Sequence, residues 1–151
     1  MKFPILLLLL FGVFAHGFSA TLHVGPGRTY AGLSAAAAAV QAGDTILIHQ
    51  GTYPGGIFLG SLQGQSGKWI TIKNAPGETV IFQGGTNAIQ FSDPAYVLLQ
   101  GLILQGQTGN GINIDDGGSY NTPAHHVQLR DCIFRDMNAS GNNDLLKLSG
   151  L

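Results

Sequence analysis

The residues with the most chemistry in this chain lie late in it. Asn113–Asp116 reads NIDD, and Lys147 sits within the stretch LLKLSGL that begins at Leu145. Carboxylate and amide oxygens are the ligands a hard cation such as Ca2+ takes, so Asp115 and Asp116, helped by Asn113, are the candidate Ca2+ ligands. A lysine whose pKa is lowered can act as a general base, and Lys147 is the candidate for that role. Neighbouring strand residues point to opposite faces, so the two carboxylates can meet only where Asp116 has left its strand. The competing reading is an ordinary solvated sheet face, with Lys147 loosely paired to Asp115. Two other features have plainer expectations. His125 and His126 should diverge as strand neighbours, which favours a structural place at a loop edge over a metal pair. Cys132 falls beside Phe134 on an inward row and reads as a buried apolar thiol.

A repeat must position these residues. From residue 44 onward the chain consists of short alternating apolar runs bounded by Gly, Asn, Asp or Pro. Aligning their inward pairs gives three series. The first is Ile46/Ile48, Ile70/Ile72, Val97/Leu99 and Val127/Leu129. The second is Val80/Phe82, Leu102/Leu104 and Cys132/Phe134. The third is Ile57/Leu59, Ile89/Phe91, Ile112/Ile114 and Leu146/Leu148. Their order is always first, second, third, except that the opening turn lacks a second-series member. Successive members lie 22 to 34 residues apart, within the solenoid range. This predicts an all-β fold, a parallel β-helix of three strands per coil and about four coils. Each strand then pairs with its counterpart one coil later, about 4.8 Å away. On that register Asn113 lies beside Lys147 and Asp115 beside Ser149. VLLQG and LILQG (Val97–Gly106) become consecutive strands around one sharp corner, and Arg130-Asp131 repeats that corner.

The ends of the chain carry separate signals. Met1-Lys2 followed by an apolar run to Ala15, with small residues at 17 and 19, is the grammar of a signal peptide over residues 1–19. Secretion follows, extracellular or periplasmic. Residues 20–43 are expected to supply an N-terminal strand and a short capping helix within the alanine-rich Thr29–Gln41, with Leu33, Ala37 and Val40 closing the core. Coils fill 44–151. The last run stops without a polar capping segment, so the reading at this level is the front part of a longer β-helix. The single cysteine excludes an internal disulfide, and a net charge of −1 with 10% charged residues gives no basic field for nucleic acid. A monomer is expected.

The stretches HVGPGRTYAGLSAAAAAVQAGDTILIHQGTYPGG and SGKWITIKNAPGETVIFQGG resemble the opening of secreted right-handed parallel β-helix proteins of the pectate-lyase-like superfamily, chondroitinase B-like and alginate-lyase-like members included. The resemblance implies a right-handed coil and a polysaccharide groove on the third-series sheet, where Phe58, Gln90 and Asn113 would contact the sugar chain. It implies, as the leading activity, a lyase of uronic-acid polymers, with Ca2+ neutralising the C6 carboxylate and Lys147 removing the C5 proton. A non-catalytic surface or carbohydrate-binding β-helix is the alternative, because such residues build coils rather than chemistry. A polygalacturonase-like hydrolase is the weaker third reading, since only NIDD faintly matches its acidic motif.

Overall fold

A computed structural model describes residues 19–118 and 124–150. All but the last residue of the expected signal peptide therefore lies outside the described residues. Among these residues no helix is long and apolar enough to cross a membrane.

Among the described residues the apolar alternation produces thirteen short strands and one helix. The strands are β1 (Thr21–Val24), β2 (Thr45–Ile48), β3 (Gly51–Pro54), β4 (Ile57–Gly60), β5 (Ile70–Asn74), β6 (Val80–Gln83), β7 (Ile89–Ser92), β8 (Ala95–Gln100), β9 (Ile103–Gln105), β10 (Ile112–Asp115), β11 (His125–Arg130), β12 (Ile133–Arg135) and β13 (Leu146–Ser149), and the helix is α1 (Leu33–Ala37). They stack as three parallel sheets in the orders β1-β2-β5-β8-β11, β3-β6-β9-β12 and β4-β7-β10-β13. We call these sheets one, two and three. Taking one strand from each sheet in turn, β2 to β13 make four coils of a parallel β-helix, with β1 added at the front of sheet one. Residues on the inward rows, among them Ile46, Ile72, Phe82, Leu99, Leu104 and Ile112, are wholly buried. In the last coil, where among the described residues no further strand covers the core, Leu146 and Leu148 stay exposed. A cavity of about 200 Å³ opens there between Ile114, Val127, Leu129 and Leu148.

The structure corrects the expected pattern in two places. The opening coil does have a second-sheet strand, β3, paired through Tyr53↔Phe82. Tyr53 is its only buried side chain, set between an outward Thr52 and a terminal Pro54, so no apolar pair announces it. Proline is tolerated because β3 is the edge strand of sheet two. The second correction is a register. Ile46 pairs with Ile72 rather than Ile70, two residues along from the expected alignment. A two-residue slip keeps every side chain on its face, so alternation cannot distinguish the two registers.

Helix α1 is shorter than the alanine-rich segment suggested. Tyr30 is drawn back to bridge Val24, its N–H donating to His23 O, and the helix starts only after Gly32 with no side-chain cap. Leu33 and Ala36 are its buried residues, while Ala37 and Val40 pack partly against the core. Asp44 ties this cap to the first coil by accepting from the N–H groups of Ala20 and Gln41 at 2.7 and 2.9 Å.

The corner of VLLQG–LILQG turns at Gly101, which has φ +71, and Asp131 turns the next coil with φ +52. A Cβ on Gly101 would lie 2.0 Å from the Asn74 side-chain oxygen. Gly101→Ala therefore combines left-handed strain with a clash, and should lower stability by about 2 kcal/mol in urea unfolding. An unchanged midpoint would show that this corner is not constrained as described.

Candidate functional site

The outward face of sheet three brings together the residues expected to act. Strands β4, β7, β10 and β13 pair in register, so Phe58, Gln90, Asn113 and Lys147 form one row up the face. Gly60, Ser92, Asp115 and Ser149 form the next row. The expected neighbours Asn113–Lys147 and Asp115–Ser149 are thus adjacent. The row spans about 14 Å, three coil steps, from an aromatic ring to a cation. Phe58 is 64% exposed at the first coil, and Lys147 is exposed at the last.

Hydrogen bonds define what these groups can do. Asp115 is an acceptor with both oxygens engaged. Its Oδ1 takes Ser92 Oγ–H at 2.7 Å and the Gly117 N–H at 3.0 Å, and its Oδ2 takes the Gln90 amide N–H. The Gln90 carbonyl accepts in turn from Asn113 at 2.8 Å and from Asn87 at 3.0 Å. Asn87, Gln90, Ser92, Asn113 and Asp115 are therefore one network crossing two coils. Asn113 Oδ1 is left buried without a partner, on the strand next to Lys147. Among the described residues Lys147 makes no ion pair, so the loose pairing with Asp115 is absent.

Asp116 takes a different course. It follows the end of β10, is only 9% exposed, and accepts from the Gly118 N–H at 2.9 Å to close a turn. Asp115 and Asp116 thus each serve a separate local structure. Among the described residues no group of three His, Cys, Asp or Glu is placed to hold a metal ion. Three of the roughly four acceptor sites of the Asp115 carboxylate are thus taken by donors of the protein. Neither Ser92 nor Asn87 was among the residues read as functional from sequence. Ser92 could have been found by extending the Asp115 row one coil back, but Asn87 lies off the strands in a corner.

No family model, curated protein or solved structure matches this chain. What the structure shows is the parallel β-helix architecture itself.

Two other expectations meet the structure here. His125 and His126 do not diverge: their Nδ1 atoms lie 2.8 Å apart. His126 has φ +52 and Tyr96, one coil earlier, φ +51, so the backbone leaves extended geometry at both while inward and outward facing is kept in β8. The two rings stack at 4.3 Å. Cys132 is half-buried, its Sγ within 3.4 Å of Arg130 O, and burial first, then the Asp131 charge, pushes its thiol up. Cys132 packs partly buried against the core, as Phe134 does.

The network makes a stability prediction. Asp115→Ala strands the donors of Gln90, Ser92 and Gly117 and should cost about 1–3 kcal/mol in denaturant unfolding. Lys147→Ala should change stability by less than about 0.5 kcal/mol. Equal effects of the two substitutions would contradict the description of Asp115 as a structural acceptor.

Proposed function

We propose that this protein is a secreted β-helix of the pectate-lyase-like kind that binds an acidic polysaccharide along sheet three. One observation carries the reading: a single outward row runs from the exposed ring of Phe58, past the amides of Gln90 and Asn113, to the unpaired Lys147. An exposed ring offers apolar area to the face of a sugar. Amides offer both donors and acceptors to hydroxyls. A free ammonium suits the carboxylate or sulfate of an acidic residue. The Asp115 charge is taken up by three donors of the protein, so it opposes an anionic ligand less than a free carboxylate would.

Cleavage by β-elimination is the second reading, and Lys147 beside Asn113 is the observation that favours it. A neutral Lys147 amine would take the C5 proton of a uronic residue. The C5 electron pair would form the C4–C5 double bond as the C4–O glycosidic bond breaks, and the leaving oxygen would take a proton from an acid or water. Ca2+ would neutralise the C6 carboxylate when bound.

The test is retention of the protein on polygalacturonate, alginate and chondroitin sulfate, with neutral dextran as control, with and without Ca2+. Binding to an acidic polymer is expected, and Lys147→Ala should weaken it about five-fold, the effect of about 1 kcal/mol. Phe58→Ala should weaken it similarly. A rise in the ultraviolet absorbance of unsaturated uronates that Lys147→Ala abolishes would establish cleavage. Failure to retain any acidic polymer would sink both readings.

A further inference from the structure

The first two coils carry a hydrogen-bonded chain of titratable side chains, away from sheet three, that polysaccharide binding does not use. His23 Nδ1 on β1 lies 2.9 Å from His49 Nε2, just past β2. The ring planes are within 18° of parallel and the centroids 5.3 Å apart. Rings lying face over face cannot bring nitrogens that close, so these two meet edge to edge through an in-line hydrogen bond. On its other side, His49 Nδ1 lies 3.2 Å from both oxygens of Glu78.

The direction of each hydrogen bond follows from the carboxylate. Glu78 also accepts from the Gln50 N–H at 2.6 Å. That N–H, followed by the His49 hydrogen bond, holds the Glu78 carboxyl below the usual carboxylate range. An ionised carboxylate only accepts, so His49 Nδ1 carries the hydrogen and His49 Nε2 is bare. His23 Nδ1–H must then be the donor in the 2.9 Å contact. The chain runs from His23 to His49 to Glu78, joining the cap strand to the first and second coils.

Other charged and titratable groups surround it. Arg28, from the loop after β1, places a guanidinium nitrogen 3.5 Å from His49 Nδ1, a donor facing a donor, which adds positive charge without a hydrogen bond. Lys73 stands on the outward row of His23, beyond Leu47. Tyr53 donates its hydroxyl to His49 O at 2.7 Å and fixes the backbone there.

We propose that this chain is an acid-sensitive latch that holds β1 and its loop onto the coils. One proton added to the pair still leaves a single hydrogen between the rings, and that central bond becomes charge-assisted. A second proton must enter at His49 Nε2. It sets one N–H against another across the 2.9 Å contact and leaves two imidazolium ions and Arg28 facing a single carboxylate. Because β1 is the edge strand of sheet one, loss of the latch loosens the N-terminal end of the helix.

Thermal unfolding against pH tests this with the whole chain. As the pH falls to about 5, below the ordinary imidazole value, the wild-type Tm should drop from its maximum by about 3–5 °C more than that of His23→Asn. The asparagine amide keeps a donor near the Nδ1 position and does not titrate. Glu78 acts in a different window: its folded value is depressed, so its contribution is complete above about pH 4.3 and is lost below it. Parallel wild-type and His23→Asn curves would overturn the latch. Imidazole nitrogen NMR gives a readout independent of folding stability. At neutral pH, His49 should carry its hydrogen on Nδ1 and His23 on Nδ1, and an Nε2–H tautomer of His49 would also overturn it.

Discussion

Everything in this fold depends on parallel pairing between each strand and its counterpart one coil later. In sheet three the pairing carries Ile57, Ile89, Ile112 and Leu146 in a straight line, with no offset at any step. This alignment satisfies the backbone groups of each inner strand from the coils on either side. It also turns alternation within a strand into continuous rows between strands: one row packs inward and the other faces solvent. With a single cysteine, the chain has no internal disulfide, so the ladder and the apolar stack it creates are what bind the coils. The cap belongs to the same system, because β1 adds to sheet one and Asp44 fastens the residues on either side of α1 to the first coil.

Legibility in the sequence follows this division between rows and corners. The three-strand coil, the VLLQG–LILQG corner and the adjacency of Asn113 with Lys147 could all be read because they depend on alternation and a constant order. The strand around Tyr53 was hidden, since one buried residue between Gly51 and Pro54 makes no pattern. The pairing of Ile46 with Ile72 was hidden for another reason: a shift by two preserves facing, and only the corner geometry fixes the choice. Tyr96 and His126 leave extended geometry with left-handed φ, a local departure that alternation does not announce, and the two adjacent histidine side chains meet there.

The candidate site shows how far row membership can specify chemistry. Asp115 was legible as an outward acid but not as an acid already engaged, because its partners come from the preceding coil and from the turn after its own strand. Once those donors are counted, the polar face is asymmetric. Its carboxylate is bound within the protein, and its lysine is available. A hydrogen-bonded amide network also fixes the orientations of Gln90 and Asn113 before any ligand arrives, which reduces the ordering cost of recognition. On the proposed reading the arrangement suits holding a chain of sugars in register, since the hydrogen bonds that order Asp115 engage both of its oxygens.

The N-terminal chain of His23, His49 and Glu78 arises from the same stacking but has different consequences. These residues are 26 and 29 positions apart in sequence, yet each step between them is a neighbouring coil. A solenoid repeatedly places residues one period apart in contact, and at corners those contacts need not be isologous rows of like residues. On sheet three the stacked polar groups alternate donor and acceptor and tolerate a change of pH in their amide members. At the cap the stacked groups are imidazoles, whose donor and acceptor atoms exchange roles on protonation. Where a β-helix puts amides in its ladders it obtains a face of constant character; where it puts histidines, it makes the joint between coils depend on the proton.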